Sequence, residues 1–384
     1  MTSDHLLSLL RSRILYFQIS KNGSSFNYKS NLIMIIKYFL LLSHLKENLL
    51  ELYKEEFLED DMSKTKAAEA LLVASDDERD KKIYQAGFIP GWIGEGGLKP
   101  EPIHEFNACS WNWDKGKELL EAAARSIDPR VAERRNIRMA NTANEKRTSL
   151  NTIHTSYQMV APGEFARAHR HTINAGRLIL ESSGAFTTLD GEKVYMEPND
   201  IILTPNWVWH GLGNDNEESG AFWIDFLDDP LVSSLKTIFF EVRDEDYETM
   251  ETNHNSPYHI KWRDLDKKLG TLAPGVDESY GCRIKLDTPS IPSMDLFMER
   301  LDNKMKTRAI KSTANHIFVC VEGSGSTQVE DVSFSWERGD VVAVPSWKSF
   351  FHHASSKSSL LEITDQPLME MLGWYRSSKI ISEG

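Results

Sequence analysis

Glu197-Pro198-Asn199-Asp200-Ile201-Ile202-Leu203-Thr204-Pro205-Asn206-Trp207 aligns without a gap with Glu337-Arg338-Gly339-Asp340-Val341-Val342-Ala343-Val344-Pro345-Ser346-Trp347, 140 residues downstream. Each block sets a Glu-x-x-Asp turn before an apolar run and a Pro-x-Trp after it, so one supersecondary unit is built twice. Around the first block, Leu178–Leu180, Ala185–Thr188, Val194–Met196 and Phe222–Ile224 are apolar runs of strand length, and Asp190-Gly191 is a hairpin signal. From Thr152 onward the chain therefore reads as two copies of one antiparallel barrel or sandwich.

Histidines bracket the first block. His169-Arg170-His171 precedes it and His210 follows it. Residues at i and i+2 point to one face of a strand, and an imidazole from a later strand closes a triangle around one ion with coordination positions left open. At the 140-residue offset His169 falls on Ala309, His171 on Lys311 and His210 on Phe350, so the second copy lacks all three ligands. His352 and His353 have no H-x-H before them and read as surface or hydrogen-bonded core histidines. Neutral imidazoles suit Fe, Zn, Cu or Ni. No Asp or Glu occurs in Thr172–Arg177, which makes the expected site a three-histidine one.

Composition narrows the partners. In 384 residues, 57 acidic against 44 basic side chains give a formal charge of -13, which argues against nucleic acid or an anionic membrane and for a small molecule. Cys109, Cys282 and Cys320 are widely spaced and form no C-x-x-C pair, as expected in a reducing cytoplasm. The apolar run Leu32–Leu42 is broken by Lys37 and falls short of a bilayer span. Residues 1–61 read as an amphipathic extension, a membrane-peripheral segment, or sequence upstream of a start at Met62. From about 76 to 140 the chain reads as helix and loop. Leu119, Leu120, Ala123 and Ala124 recur at helical spacing, and Arg130, Arg134, Arg135 and Arg138 form a cluster that position alone would leave as a solvated basic face.

The segment Gly163 to His171 resembles the first cupin motif, G-x5-H-x-H, and Pro205 to Asn214 the second, P-x4-H-x3-N. More narrowly, the paired cupins, the Trp-rich segment Thr204–Trp209, Trp223-Ile224-Asp225 and the tail Asp365-Gln366-Pro367 to Gly373 are similar to the gentisate 1,2-dioxygenase family, with its salicylate and 1-hydroxy-2-naphthoate relatives, over about 83–376. That resemblance implies a mainly β bicupin: two antiparallel β-barrels (double-stranded β-helices) with a helical N-terminal arm. The expected divisions are an extension (1–61), the arm (62–150), a metal-binding cupin (151–245), a linker with the start of the second barrel (246–300) and a cupin without ligands (301–376).

The resemblance further implies Fe(II) on His169, His171 and His210. Both atoms of O2 would enter the ring of a hydroxylated aromatic acid between its carboxyl- and hydroxyl-bearing carbons, with all electrons supplied by the substrate. Arg177, Gln158, Arg130 and Arg134 match substrate-binding positions, the two arginines of the arm sharing a helical face, and Asp225 matches a family aspartate that orients or tunes the site. A homo-oligomer, commonly a tetramer, is expected. The chain departs from the family at Leu212, where gentisate-cleaving relatives have a histidine, at His154, where they have an aromatic residue, and at Ser156, where the residue is small. These positions belong to the substrate pocket. They leave open the acid that is cleaved, and with it the alternative of a non-oxidative metal-binding bicupin.

Overall fold

The computed structural model describes residues 77–92, 99–103, 105–127, 134–142, 147–243, 251–272 and 278–379. The expectations for residues 1–61 and Arg130 lie outside them. The described residues before Lys99 belong to a unit of their own and include the helix Glu78–Gln85. All that follows concerns the unit from Lys99 onward.

In chain order its strands are β1 (Cys109–Trp111), β2 (Arg135–Arg138), β3 (His154–Val160), β4 (Phe165–His171), β5 (Ala175–Glu181), β6 (Ala185–Leu189), β7 (Glu192–Tyr195), β8 (Ile201–Thr204), β9 (His210–Asn214), β10 (Ala221–Leu227), β11 (Phe240–Val242), β12 (Glu251–Thr252) and β13 (His259–Ile260). Then come β14 (Cys282–Lys285), β15 (Asp295–Leu301), β16 (Ile310–Ser312), β17 (His316–Glu322), β18 (Ser324–Val329), β19 (Val332–Glu337), β20 (Val341–Val344), β21 (Phe350–Ala354), β22 (Ser358–Thr364) and β23 (Ser377–Lys379). The first barrel pairs the sheet β13-β8-β5-β10-β3-β2 with β11-β4-β9-β6-β7-β12, and the second pairs β1-β20-β17-β22-β15-β14 with β19-β18-β21-β16-β23. The fold is the expected bicupin.

Within β5, Ala-Gly-Arg-Leu-Ile-Leu-Glu, the run Leu178–Leu180 is apolar on both faces because both are covered. Ile179 points into the first barrel with Ala166, Leu212 and Trp223. Leu178 and Leu180 point the other way, into a core shared with Met298, Ile317 and Val341 of the second barrel. Strand alternation thus divides one run between two cores. Leu178 is 1% exposed, and Leu178→Ala is expected to cost about 2–5 kcal/mol. Urea unfolding should show one transition at a lower midpoint; separate transitions would mean that the shared core does not couple the barrels.

The sequence repeat has a physical cause in each copy. Trp207 and Trp347 both adopt φ 62°, a left-handed backbone that is rare for a bulky residue. The Trp207 amide donates to the His171 carbonyl at 2.7 Å, and that of Trp347 to the Ser312 carbonyl at 2.5 Å. Asn174 donates from its backbone and side-chain amides to Asp228, as Asn315 does to Asp365. These bonds correct the expected equivalence: His171 corresponds to Ser312 rather than Lys311. Strand pairing likewise sets His169 opposite His210 and Ile310 opposite Phe350, so His169 corresponds to Ile310 rather than Ala309. The ungapped block lies beyond a turn that is one residue longer after Glu181 than after Glu322, and the offset slips there. The second barrel still carries no imidazole at the three positions. His352 in it is buried and shares a 2.9 Å hydrogen bond with Thr327.

The arm contains the expected helix, Trp113–Ser126, capped by the Asn112 side chain. Two pieces of it are strands instead: β1 joins the second barrel at β20, and β2 covers the edge of the first at β3. Arg134 stands in a bend before β2, so the expected helical face is absent there. The arginines are taken up by partners distant in sequence. Arg135 makes a bidentate pair with Glu164, and Arg138 lies 3.8 Å from Asp229.

Candidate metal centre

His169 and His171 lie on one face of β4, and His210 on β9 is directly opposite His169. All three are buried, with ring centroids 4.2 to 5.3 Å apart. One nitrogen from each lies within 4.8 Å of the others, the one such cluster among the described residues. The outer nitrogens fix the tautomers. His171 Nδ1 donates to the Ile173 carbonyl and His210 Nδ1 to the Val208 carbonyl, both at 2.9 Å. A carbonyl only accepts, so each ring keeps its Nε2 lone pair for an ion.

His169 has a different neighbour. Arg134 Nη2 is 2.7 Å from its Nδ1 and donates to the Arg167 carbonyl at 2.6 Å. Burial, then the Arg134 charge, pushes the basicity of His169 down to about 2. Burial likewise lowers His171, and it lowers His210 well below the usual imidazole range. All three rings are held neutral, and His171 and His210 keep the Nε2 lone pair; at His169 the donor-only guanidinium of Arg134 puts the ring hydrogen on Nε2, so ligation by that nitrogen requires Arg134 to leave Nδ1. Three neutral donors leave a divalent ion with its full charge. The donor set fits a divalent transition metal.

Behind the triad, Arg177 is buried. Its Nε donates to Asp225 at 3.3 Å and its Nη1 to Thr187 Oγ1 at 2.6 Å, leaving Nη2 without a bond among the described residues. The expected two-pronged capture of a carboxylate is therefore reduced to the outer edge of the guanidinium. Asp225 also accepts from Trp223 Nε1 at 3.0 Å. Burial raises its proton affinity against the pull of Arg177 and Trp223. It accepts from Arg177 and is not among the three clustered ligands. Gln158 is buried on β3 opposite Trp223. His154, at the start of β3, shares a 2.9 Å bond between Nδ1 and Asp229. Leu212 packs in the barrel's apolar core.

Three contributors had gone unseen in the sequence. Asp229, the partner of His154, occupies the place of Gln366 in the second copy, so the repeat itself carried that signal. Phe240 on β11 lies 5.3 Å from the His169 ring, and pairing of β11 with β4 brings it there. Arg170, the middle residue of H-x-H, turns outward between Trp207 and Trp209 at 4.5 and 4.7 Å and pairs with Glu241. This clamp ties the ligand strand to the loop that leads to His210. No helix among the described residues is long and apolar enough to cross a membrane.

A cupin domain model matches residues 156–227. The chain is 30% identical to a gentisate 1,2-dioxygenase of Streptomyces sp, over 79% of this chain and 95% of the relative. It is also 30% identical to a 5-aminosalicylate 1,2-dioxygenase of Comamonas sp, covering 80% and 91%. Among solved structures, the salicylate 1,2-dioxygenase of Pseudaminobacter salicylatoxidans superposes with a TM-score of 0.71 at 25% identity, covering 78% of this chain and 95% of that one.

Proposed function

Because the chain belongs to the gentisate 1,2-dioxygenase family of ring-cleaving bicupins, we propose that it inserts both atoms of O2 into the ring of a hydroxylated aromatic carboxylic acid. The observation that carries this reading is the buried, neutral three-histidine cluster in the same barrel interior as Arg177 and Asp225. His169, His171 and His210 would hold the metal, which we assign as Fe(II), and it would supply a Lewis-acidic, redox-active centre for the acid and O2.

The chain's own residues supply the rest. Neutral ligands preserve a net positive centre that favours an anionic phenolate–carboxylate pair. Arg177 Nη2 meets the carboxylate, with Asp225 and Thr187 fixing the plane of the guanidinium. Gln158 is a further hydrogen-bonding group for the acid. Arg134 stands at the outer nitrogen of His169, donates to the Arg167 carbonyl and keeps the arm against the centre. The apolar core around Leu212, Ile179 and Trp223 excludes water from the ring. Asp225 acts as a positioning residue.

We further place the protein in the cytoplasm, in keeping with its free thiols, and assign it as a homo-oligomer, as is usual for the family. An oxygen electrode with gentisate, salicylate, 5-aminosalicylate and 1-hydroxy-2-naphthoate tests the activity. The iron-loaded protein should consume O2 and acid in equal amounts with at least one of them. No consumption across the panel would overturn the proposal.

A further inference from the structure

We infer that His154 Nε2 accepts a hydrogen bond from a hydroxyl or amino group on the substrate's ring, so that the site selects aromatic acids carrying such a donor besides the chelating pair. This rests on the ring-cleavage reading for its substrate class, but the argument starts from β3.

Along β3, Tyr157 and Met159 enter the core shared by the two barrels, while Val160 enters the first barrel's own core. By alternation His154, Ser156 and Gln158 face that barrel interior. Strand pairing places Ser156 opposite Asp225 and His154 opposite Leu227, at the end of the barrel where β4 finishes at His171. His154 is 2% exposed. It is not one of the three clustered ligands.

Its orientation is fixed from behind. Asp229 Oδ1 lies 2.9 Å from Nδ1, and the other oxygen of Asp229 lies 3.8 Å from Arg138 Nη1. A carboxylate only accepts, so Nδ1 carries a hydrogen, and in the neutral ring Nε2 presents a lone pair. That Nε2 is buried and has no hydrogen-bond partner among the described residues. A buried acceptor left unpaired is costly, and its retention points to a group that arrives with the ligand. Leu212 offers an apolar surface on β9, whereas the β3 wall carries His154, Ser156 and Gln158. An acid with a ring hydroxyl or amine toward β3 satisfies Nε2; one with a methyl group there strands it.

The test uses salicylates bearing a ring hydroxyl or amine, each paired with the acid carrying methyl at the same ring position. The wild-type iron protein should favour the donor member of at least one pair by about tenfold or more in kcat/KM. In His154→Phe that ratio should fall to about one. His154→Gln, whose amide oxygen accepts, should restore part of it, and Asp229→Asn should lower it by loosening the ring. Equal ratios in wild type and His154→Phe, or no preference in any wild-type pair, would overturn the inference. Dissociation constants of the same pairs, measured anaerobically by calorimetry, give an independent ratio. If no acid consumes O2, the ring-cleavage reading fails, while the binding ratio still decides the role of His154.

Discussion

Exchanging the three ligands for the residues that replace them in the second barrel, as His169→Ile, His171→Ser and His210→Phe, is expected to give a folded protein that holds no metal and consumes no O2. The second barrel is the internal control. Ile310, Ser312 and Phe350 occupy those positions on strands of the same pairing, and all three are buried there. The single change His210→Ala removes one of three ligands. Loss of an outer partner of a metal ligand costs about 10- to 100-fold in affinity, and loss of the ligand itself costs more. Metal analysis after gel filtration, an oxygen electrode and near-UV circular dichroism together check the outcome. Stoichiometric metal in the folded triple variant would show that the ion is held elsewhere.

That a one-barrel site can be recognised from sequence at all follows from how local its determinants are. H-x-H fixes two ligands by strand alternation, and the third lies on the strand directly opposite, so short motifs carried the whole ligand set. The strands of both barrels were equally legible at Leu178–Leu180 and Ile201–Leu203, where burial on two sides leaves unbroken apolar runs. What failed was register and long-range pairing. A single extra residue in the turn after Glu181 displaced the inferred counterparts of His169 and His171 by one position. Arg135–Arg138 carries no apolar alternation, since its arginines are neutralised by Glu164 and Asp229, and so the strand was hidden. The Arg177–Asp225 contact exists only because β5 pairs with β10 in a register that sets the two residues opposite each other. The three clustered histidines were therefore readable from short motifs, whereas the partners that hold the pocket residues, such as Asp229 behind His154 and Thr187 beside Arg177, were not.

That cross-strand pair leads to the second large effect. Arg177→Met should lower kcat/KM for a carboxylate substrate by roughly 10- to 100-fold, the loss of one charge-assisted contact. It should also destabilise the fold by about 3–5 kcal/mol, because Asp225 is then a buried charge without its cation. The two effects separate in the double variant Arg177→Met, Asp225→Asn, which removes the orphaned charge: stability should largely return while turnover does not. The pH dependence has a definite sign. Burial already raises the proton affinity of Asp225, and removing Arg177 raises it further. An acid whose folded-state value is raised contributes stability below its unfolded value, about 3.9, and that contribution is lost as pH rises through the folded value. The melting temperature of Arg177→Met should therefore fall relative to wild type as pH increases above about 4, and the double variant should not show this trend. A deficit that is independent of pH, or one that Asp225→Asn does not relieve, would mean that Arg177 supports the barrel by packing against Trp223 rather than by balancing the aspartate.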